Sequence, residues 1–173
     1  MSTLFVDTIN EKTTNAGVNI PGHVIQVVTG TTSTQVQATT TSYVDTGLSA
    51  SITPASTSSK ILVLVNQTVY SFATTYNAIG GIRLMRGSTA ILTPFTDGTG
   101  PLEPYLEITN STGVYNSLRH PITFLDSPST TSATTYKTQG RIRMTGSSRT
   151  LSFQNTGSGA NGPSTITLLE IGG

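Results

Sequence analysis

The stretch Ser59-Lys60-Ile61-Leu62-Val63-Leu64-Val65-Asn66-Gln67-Thr68-Val69-Tyr70-Ser71-Phe72 constrains this chain most. Five apolar residues, Ile61 to Val65, follow one another without a polar break. Beyond them the pattern relaxes to alternation, with Val69 on one side and Tyr70 and Phe72 on the other. Successive side chains of a strand point to opposite faces, so the unbroken run gives a strand that is apolar on both. A strand in a two-layer sandwich normally buries one face only. The second face needs another partner, and the simplest is a second copy of the chain. The closing segment Thr165-Ile166-Thr167-Leu168-Leu169-Glu170-Ile171 also lacks a clean polar face. The sequence therefore predicts an all-β, antiparallel β-sandwich that packs against itself. The two runs place Ile61, Val63, Val65, Leu169 and Ile171 at the subunit interface.

A chain of 173 residues is long enough for one good core, or one core and a short extension. Its hydrophobic content of 35% and charged content of 10% are both low, and Ser and Thr, almost a third of the chain, make up the difference. Polar chains are disordered when net charge is high and β-branched residues are scarce. Here the net charge is +1 and Thr, Val and Ile are abundant, which fits strands with hydroxyl-coated surfaces. Near-zero charge argues against nucleic acid as a partner. There is no cysteine, hence no disulfide framework and no thiolate chemistry. The opening residues lack the basic and apolar regions of a signal peptide, and no apolar run approaches the ~20 residues of a membrane helix. The expectation is a protein made in a cytoplasm, with no membrane insertion.

Residues 1–22 read as a separate segment. Leu4-Phe5-Val6-Asp7-Thr8-Ile9 and Val18-Asn19-Ile20 are short strand candidates around a polar turn, and Pro21-Gly22 ends the segment. Two such strands cannot stand by themselves, so the segment is expected to dock elsewhere through Leu4, Phe5, Val6, Ile9, Val18 and Ile20. Residues 23–173 form the main domain. His23–Val28 is its first strand, followed by a long polar loop from Thr29 to Thr41. Ser42–Pro54 alternates, and Arg86-Gly87-Ser88 is a hairpin turn between Ile79–Met85 and Thr89–Leu92. Tyr105–Ile108, Gly113–Tyr115 and Ile122–Leu125 read as short separate strands, and Ser132–Met144 and Thr150–Asn155 as alternating ones. Eight to ten strands and no helix point to a sandwich or jelly roll.

Chemistry-bearing constellations are sparse. The only histidines are His23 and His120, with Asp45, Asp97 and Asp126 available as partners, and no G-x-S-x-G motif is present. Asp97, Glu103 and Glu107 match no cation-binding loop, so no metal and no cofactor is implied. Arg141 and Arg143 project to the polar face of one strand, with Arg83 and Arg86 forming a similar surface, where an anionic glycan could dock. The expectation is a protein that is not an enzyme.

Two blocks carry a resemblance. Ser2-Thr3-Leu4-Phe5-Val6-Asp7-Thr8-Ile9 with Gly17-Val18-Asn19-Ile20-Pro21-Gly22 resembles the start of fibre-type virion proteins of tailed bacteriophages, marine and cyanobacterial ones especially. Asp45-Thr46-Gly47-Leu48, Ile52-Thr53-Pro54, Ser58–Val63, Asp126-Ser127-Pro128, Ala133–Lys137 and Ser164–Ile171 resemble the head domain of the same proteins. The resemblance implies a homotrimeric jelly roll of the tumour-necrosis-factor or C1q kind on a short N-terminal virion-attachment segment. It implies a tail-fibre or tip knob of the virion, with other virion proteins as partners, or else a capsid decoration or head-fibre protein. A glycan-cleaving enzyme is disfavoured by chain length. In such a head the chain enters at the base and its C-terminus returns there. The far loops then face the host, and Tyr76, Asp97, Tyr105, Tyr115, Arg119 and His120 are the expected contacts to a host-surface glycan.

Overall fold

A computed structural model of the chain describes Thr8 and residues 22–73, 78–92, 105–108, 114–142, 149–157 and 160–173. Among them are eleven strands and no helix. In chain order these are β1 (Val24–Thr32), β2 (Val36–Ala38), β3 (Val44–Ile52), β4 (Lys60–Ala73), β5 (Ala78–Arg86), β6 (Thr89–Leu92), β7 (Tyr105–Ile108), β8 (Val114–Asp126), β9 (Thr134–Ile142), β10 (Arg149–Phe153) and β11 (Ser164–Ile171). β1, β2, β4, β8, β10 and β11 form a six-stranded sheet, and β3, β5, β6, β7 and β9 a five-stranded one. Every pairing is antiparallel, and the apolar core lies between the two sheets. The β-sandwich expected from the alternating strands is thus the observed architecture.

β4 is the spine of the larger sheet. β8 runs along one of its edges, from Ile61 to Ala73. The other edge is divided: β11 pairs Lys60 to Asn66, and β10 pairs Val69 to Ala73. β1 then pairs with β11, and β2 with β10. Gln67 and Thr68 fall in the gap between the two ladders. Buried backbone groups must find partners somewhere. The Thr68 N–H donates to Ser164 Oγ at 2.9 Å, and its carbonyl accepts from the Gln154 N–H at 3.0 Å.

The inward phase of β4 supplies the centre of the core. Ile61, Val63 and Val69 are completely buried and Val65 nearly so, against Phe153, Tyr136, Leu84 and Leu168. This corrects the interface expected from the sequence. Ile61, Val63 and Val65 fill the interior of one chain and are not available to a second. The outward phase belongs to Leu62, Leu64 and Asn66. Truncating a buried ring such as Phe153 to Ala costs ~3–5 kcal/mol by the lost contacts and the cavity left behind.

Two elements differ from the sequence reading. β1 continues through Thr29–Thr32, paired to Ser164–Thr167, where a loop is expected. Val114 and Tyr115, from the expected segment Gly113–Tyr115, and Ile122–Leu125 belong to a single 13-residue strand, β8. Pro121 interrupts its apolar pattern but not its ladder to β4, since a proline fits a strand where its missing N–H faces a free edge.

Two glycines set how closely the layers approach. At Gly30 a Cβ would collide with the Ser49 carbonyl, so β1 and β3, from different sheets, meet there backbone to backbone. At Gly140 a Cβ would collide with the Phe153 ring. Gly140→Ala is therefore expected to lower stability by roughly 1–3 kcal/mol, the usual penalty of overpacking. The check is the denaturant midpoint at unchanged slope; a midpoint equal to that of the native sequence would show that the interface has slack.

Candidate functional site

The outer face of the six-stranded sheet is the most unusual surface. Register alone defines its rows. Val24, Ile171 and Lys60 form the first, and Val27, Leu169, Leu62 and Leu125 the second. Thr29, Thr167, Leu64 and Thr123 form the third, and Thr31, Thr165, Asn66 and Pro121 the fourth. Val24, Val27, Leu64 and Leu125 are 45%, 56%, 38% and 52% exposed. They are the large apolar side chains left exposed among the described residues, and all four lie on this one face. Leu62, Leu169 and Ile171 between them are half-buried. A contiguous exposed apolar surface of this kind marks an interaction site.

The patch is open at one end only. Farther along β4, Gly157, Gly162 and Pro163 lie over the same face. Thr68 donates to the Pro163 carbonyl at 2.7 Å and is buried beneath it, and the Arg119 Nη1 donates to the same carbonyl at 2.5 Å. Gly157, at φ +80°, lies so close to the Tyr70 ring that a Cβ there would collide with it. At the opposite, open end the chain enters and leaves side by side. The Gly22 N–H donates to the Gly172 carbonyl and the Gly172 N–H to the His23 carbonyl, both at 2.8 Å.

Between the sheets lies a buried polar cluster that the sequence reading missed. Gln67 Oε1 accepts from Thr138 at 2.9 Å, and Gln67 Nε2 donates to Ser164 Oγ at 2.9 Å. Thr46 and Thr138 share a hydroxyl contact of 2.5 Å. The Gln154 amide, oriented so that both its atoms are satisfied, accepts from Gln67 Nε2 at 2.6 Å and donates to the Thr34 and Thr46 carbonyls at 3.0 and 3.1 Å. All five side chains are completely buried. Thr46 reaches the cluster because β3 bulges: it advances four residues, Asp45 to Ser49, against two on β9, with Gly47 at φ +84°. The signal was present in the sequence, since Gln67 stands in the same phase as Ile61, Val63, Val65 and Val69.

Asp126, Glu170 and Asp45 are engaged in structural contacts. Asp126 accepts both carboxylate bonds from Arg86 Nη1 at 2.9 Å and one from the Tyr136 hydroxyl at 2.7 Å. Burial, with the Asp126 hydrogen bond added to it, holds the Tyr136 phenol far above the ordinary phenol range. Glu170 accepts from the Ala55 N–H at 2.7 Å and from Gln26 Nε2 at 2.5 Å, tying the β3–β4 connection to the sheet. Asp45 takes Lys137 at 2.8 Å and Gln139 at 2.5 Å. Burial raises its pKa, but these hydrogen bonds and the charges of Lys137 and Arg83 prevail and hold the carboxyl below its usual 3.8. Neither Asp45 nor Asp126 is hydrogen-bonded to a histidine, and no group of three metal-ligating side chains occurs among the described residues.

The expected host contacts do not converge on one described site. Tyr76 and Asp97 lie outside the described residues, as do the expected attachment residues Leu4, Phe5, Val6, Ile9, Val18 and Ile20. The backbone pairs Tyr105 with Gly81 and Tyr115 with Phe72, the latter at the end of the sandwich away from Gly22 and Gly172. Arg119 is exposed and faces outward. His120 follows it on β8 and so shares the inward phase of Ile122, opposite Gln67, rather than standing beside Arg119 on the surface. Leu169 and Ile171, of the expected interface, do face outward. Searches of protein-family models and of curated proteins find no match to this chain.

His120 carries a measurable consequence. Its Nε2 is buried with no hydrogen-bond partner among the described residues, and burial lowers its pKa below the usual 6.5. A group whose folded pKa is depressed contributes stability that is present above the unfolded value and is lost as pH falls through the folded one. The protein is therefore expected to lose stability as pH drops below 6.5, before its carboxylates titrate. His120→Gln is expected to flatten that part of a melting-temperature profile; an equal slope in the variant would remove His120 as the cause.

Proposed function

We propose that this chain is a structural virion protein of a tailed bacteriophage, a homotrimeric tail-fibre or tip knob joined to the particle through its N-terminal segment. The observation that carries the reading is the row Val27–Leu169–Leu62–Leu125, with Leu64 beside it, on the outward face of the larger sheet. A monomer would leave these side chains in water, at a cost of ~25 cal/mol for each Å² that a partner would cover. Packed around a threefold axis, the same rows from three chains bury one another. Strand order supports a jelly-roll reading. Successive main strands β1, β3, β4, β5, β8, β9 and β11 alternate between the sheets, in the orders β1-β11-β4-β8 and β3-β9-β5-β6. The adjacency of Gly22 and Gly172 agrees with a head entered and left at its base. The partners are then two further copies of this chain, other virion proteins and a host-surface glycan.

Light scattering at micromolar concentration tests the assembly, with three chains per particle expected. Leu62→Glu combined with Leu169→Glu is expected to give folded monomers, whereas Val63→Ala lowers the melting temperature without selective dissociation. A stable folded monomer of the native sequence would reject the trimer. Immunogold labelling of intact phage tests the location: label at the tail tip supports the knob, and label over the capsid shell turns the reading to a decoration protein. Deleting residues 1–21 is expected to leave a trimer that no longer joins the particle.

A further inference from the structure

The outer face of the five-stranded sheet has the opposite character. Its rows follow from register: Arg141 of β9 stands opposite Gly81 of β5, and Gln139 lies between Asp45 of β3 and Arg83 of β5. Tyr43 immediately precedes β3, where Val44 pairs with Gly140, so its ring falls beside Arg141. The guanidinium carbons of Arg83 and Arg141 lie 3.9 and 4.7 Å from the centroid of that one ring. Each contact is favourable, because the face of an aromatic ring carries negative quadrupole density. The two like charges nevertheless repel one another, and a single neutral ring does not cancel them.

Among the residues whose side chains are described, this face sets one carboxylate, Asp45, against three cations, Lys137, Arg83 and Arg141. Asp45 is shared between Lys137 Nζ at 2.8 Å and Gln139 Nε2 at 2.5 Å, so its hydrogen bonds go to neither arginine although its charge acts on Arg83. Arg83 gives its Nε and Nη2 hydrogens to the uncharged Gln139 Oε1 at 2.9 and 2.6 Å. The Nε of Arg141 and the hydroxyl of Tyr43 are buried with no hydrogen-bond partner among the described residues. Of the other arginines whose side chains are described, Arg86 is engaged with Asp126 and Arg119 with the Pro163 carbonyl. Arg143, the remaining arginine expected on this face, lies outside the described residues. The site thus combines an excess of positive charge over its one described carboxylate with an unpartnered guanidinium Nε and an unpartnered hydroxyl.

We propose that Tyr43, Arg83 and Arg141 bind a single oxoanion, the carboxylate or sulfate group of an acidic sugar. Guanidinium forks match the paired oxygens of such groups. A polyanion such as nucleic acid fits poorly, since its binding draws on several cationic contacts and this face offers two besides the paired Lys137. Beyond the Asp45–Lys137 pair, Ser51 and Thr135 meet at 2.7 Å across β3 and β9, beside Ser49. A charge-recognising corner beside surface hydroxyls suits a sugar ring bearing one acid group. The proposal does not rest on the virion reading, although in that trimer this face points away from the apolar one and stays accessible.

The test is an NMR titration of the full chain at ~10 mM ionic strength with glucuronate, glucose 6-sulfate and glucose. Both acidic sugars are expected to bind with Kd on the order of 1 mM, moving the Tyr43 ring resonances, while glucose does not bind. Arg141→Gln is expected to weaken binding about tenfold, the loss of one charge-assisted contact. Lys60→Gln, on the other sheet, leaves binding unchanged. Raising ionic strength to ~0.15 M weakens binding of the native sequence, a readout that holds even where a variant folds poorly. Binding of only one acidic sugar upholds the site and identifies its oxoanion. Absence of binding by both, equal binding of glucose, or undiminished binding by a folded Arg141→Gln protein would overturn the proposal.

Discussion

The hydroxyl of Ser164 holds the place where the larger sheet changes partners. β4 gives one edge to two strands, and between their ladders the Thr68 N–H has no strand to pair with. Ser164 accepts that N–H and also the side-chain amide of Gln67, and Gln154 closes the gap from the other side. Thr138 and Thr46 then carry the same network to the opposite sheet. A buried network of this kind stabilises only when every member is satisfied, because each orphaned group costs about 1–3 kcal/mol in desolvation. These five side chains therefore tie three separate features into one unit: the ladder switch on β4, the β3 bulge and the spacing of the two layers. An apolar core could fill the same volume, but it would not specify where β11 ends and β10 begins.

The sandwich also presents two outward faces of contrasting chemistry. On the larger sheet, aliphatic residues from β1, β11, β4 and β8 line up across the strands and call for an apolar partner. On the smaller sheet, Tyr43, Arg83 and Arg141 gather more positive charge than Asp45 offsets. Between them the core is continuous, so the two faces are held rigidly back to back. The two proposals, self-association and oxoanion recognition, therefore draw on separate surfaces of the sandwich.

Most of the strands were legible because alternation is a direct consequence of the pleat. The hairpin at Arg86-Gly87-Ser88 was also legible, and Gly87 has the positive φ of 58° that such a turn calls for. The phase of β4 was not. When both faces of a strand are apolar, periodicity says that each is covered but not which one faces the core. Ile61, Val63 and Val65 were accordingly placed outward, in the positions that Leu62 and Leu64 hold. β8 was divided because Arg119, His120 and Pro121 break its apolar pattern, although an edge strand tolerates all three. The β1 extension was hidden by Thr29-Gly30-Thr31-Thr32, whose composition suits a loop as well as an outward strand face. The cation pair on Tyr43 was half visible: Arg141 and Arg83 stood out as a polar surface, but Tyr43 joins them only through the register of β3 on β9.

The hydrogen bonds that join Gly22 to Gly172 and His23 to Gly172 make β1 and β11 neighbours from the point where the chain enters. That geometry gives the ladder two mechanical responses. A force that draws residue 22 away from the C-terminus peels β1 from β11 one pair at a time, like a zipper, and meets little resistance. A force that pulls residue 22 along the axis of β1, with the far end of the sandwich held, loads the pairs from Val24 to Thr32 together in shear. A domain tethered through residue 22 and gripped at its opposite end is loaded in the second way, so the direction of pull decides whether the entry strand yields or holds.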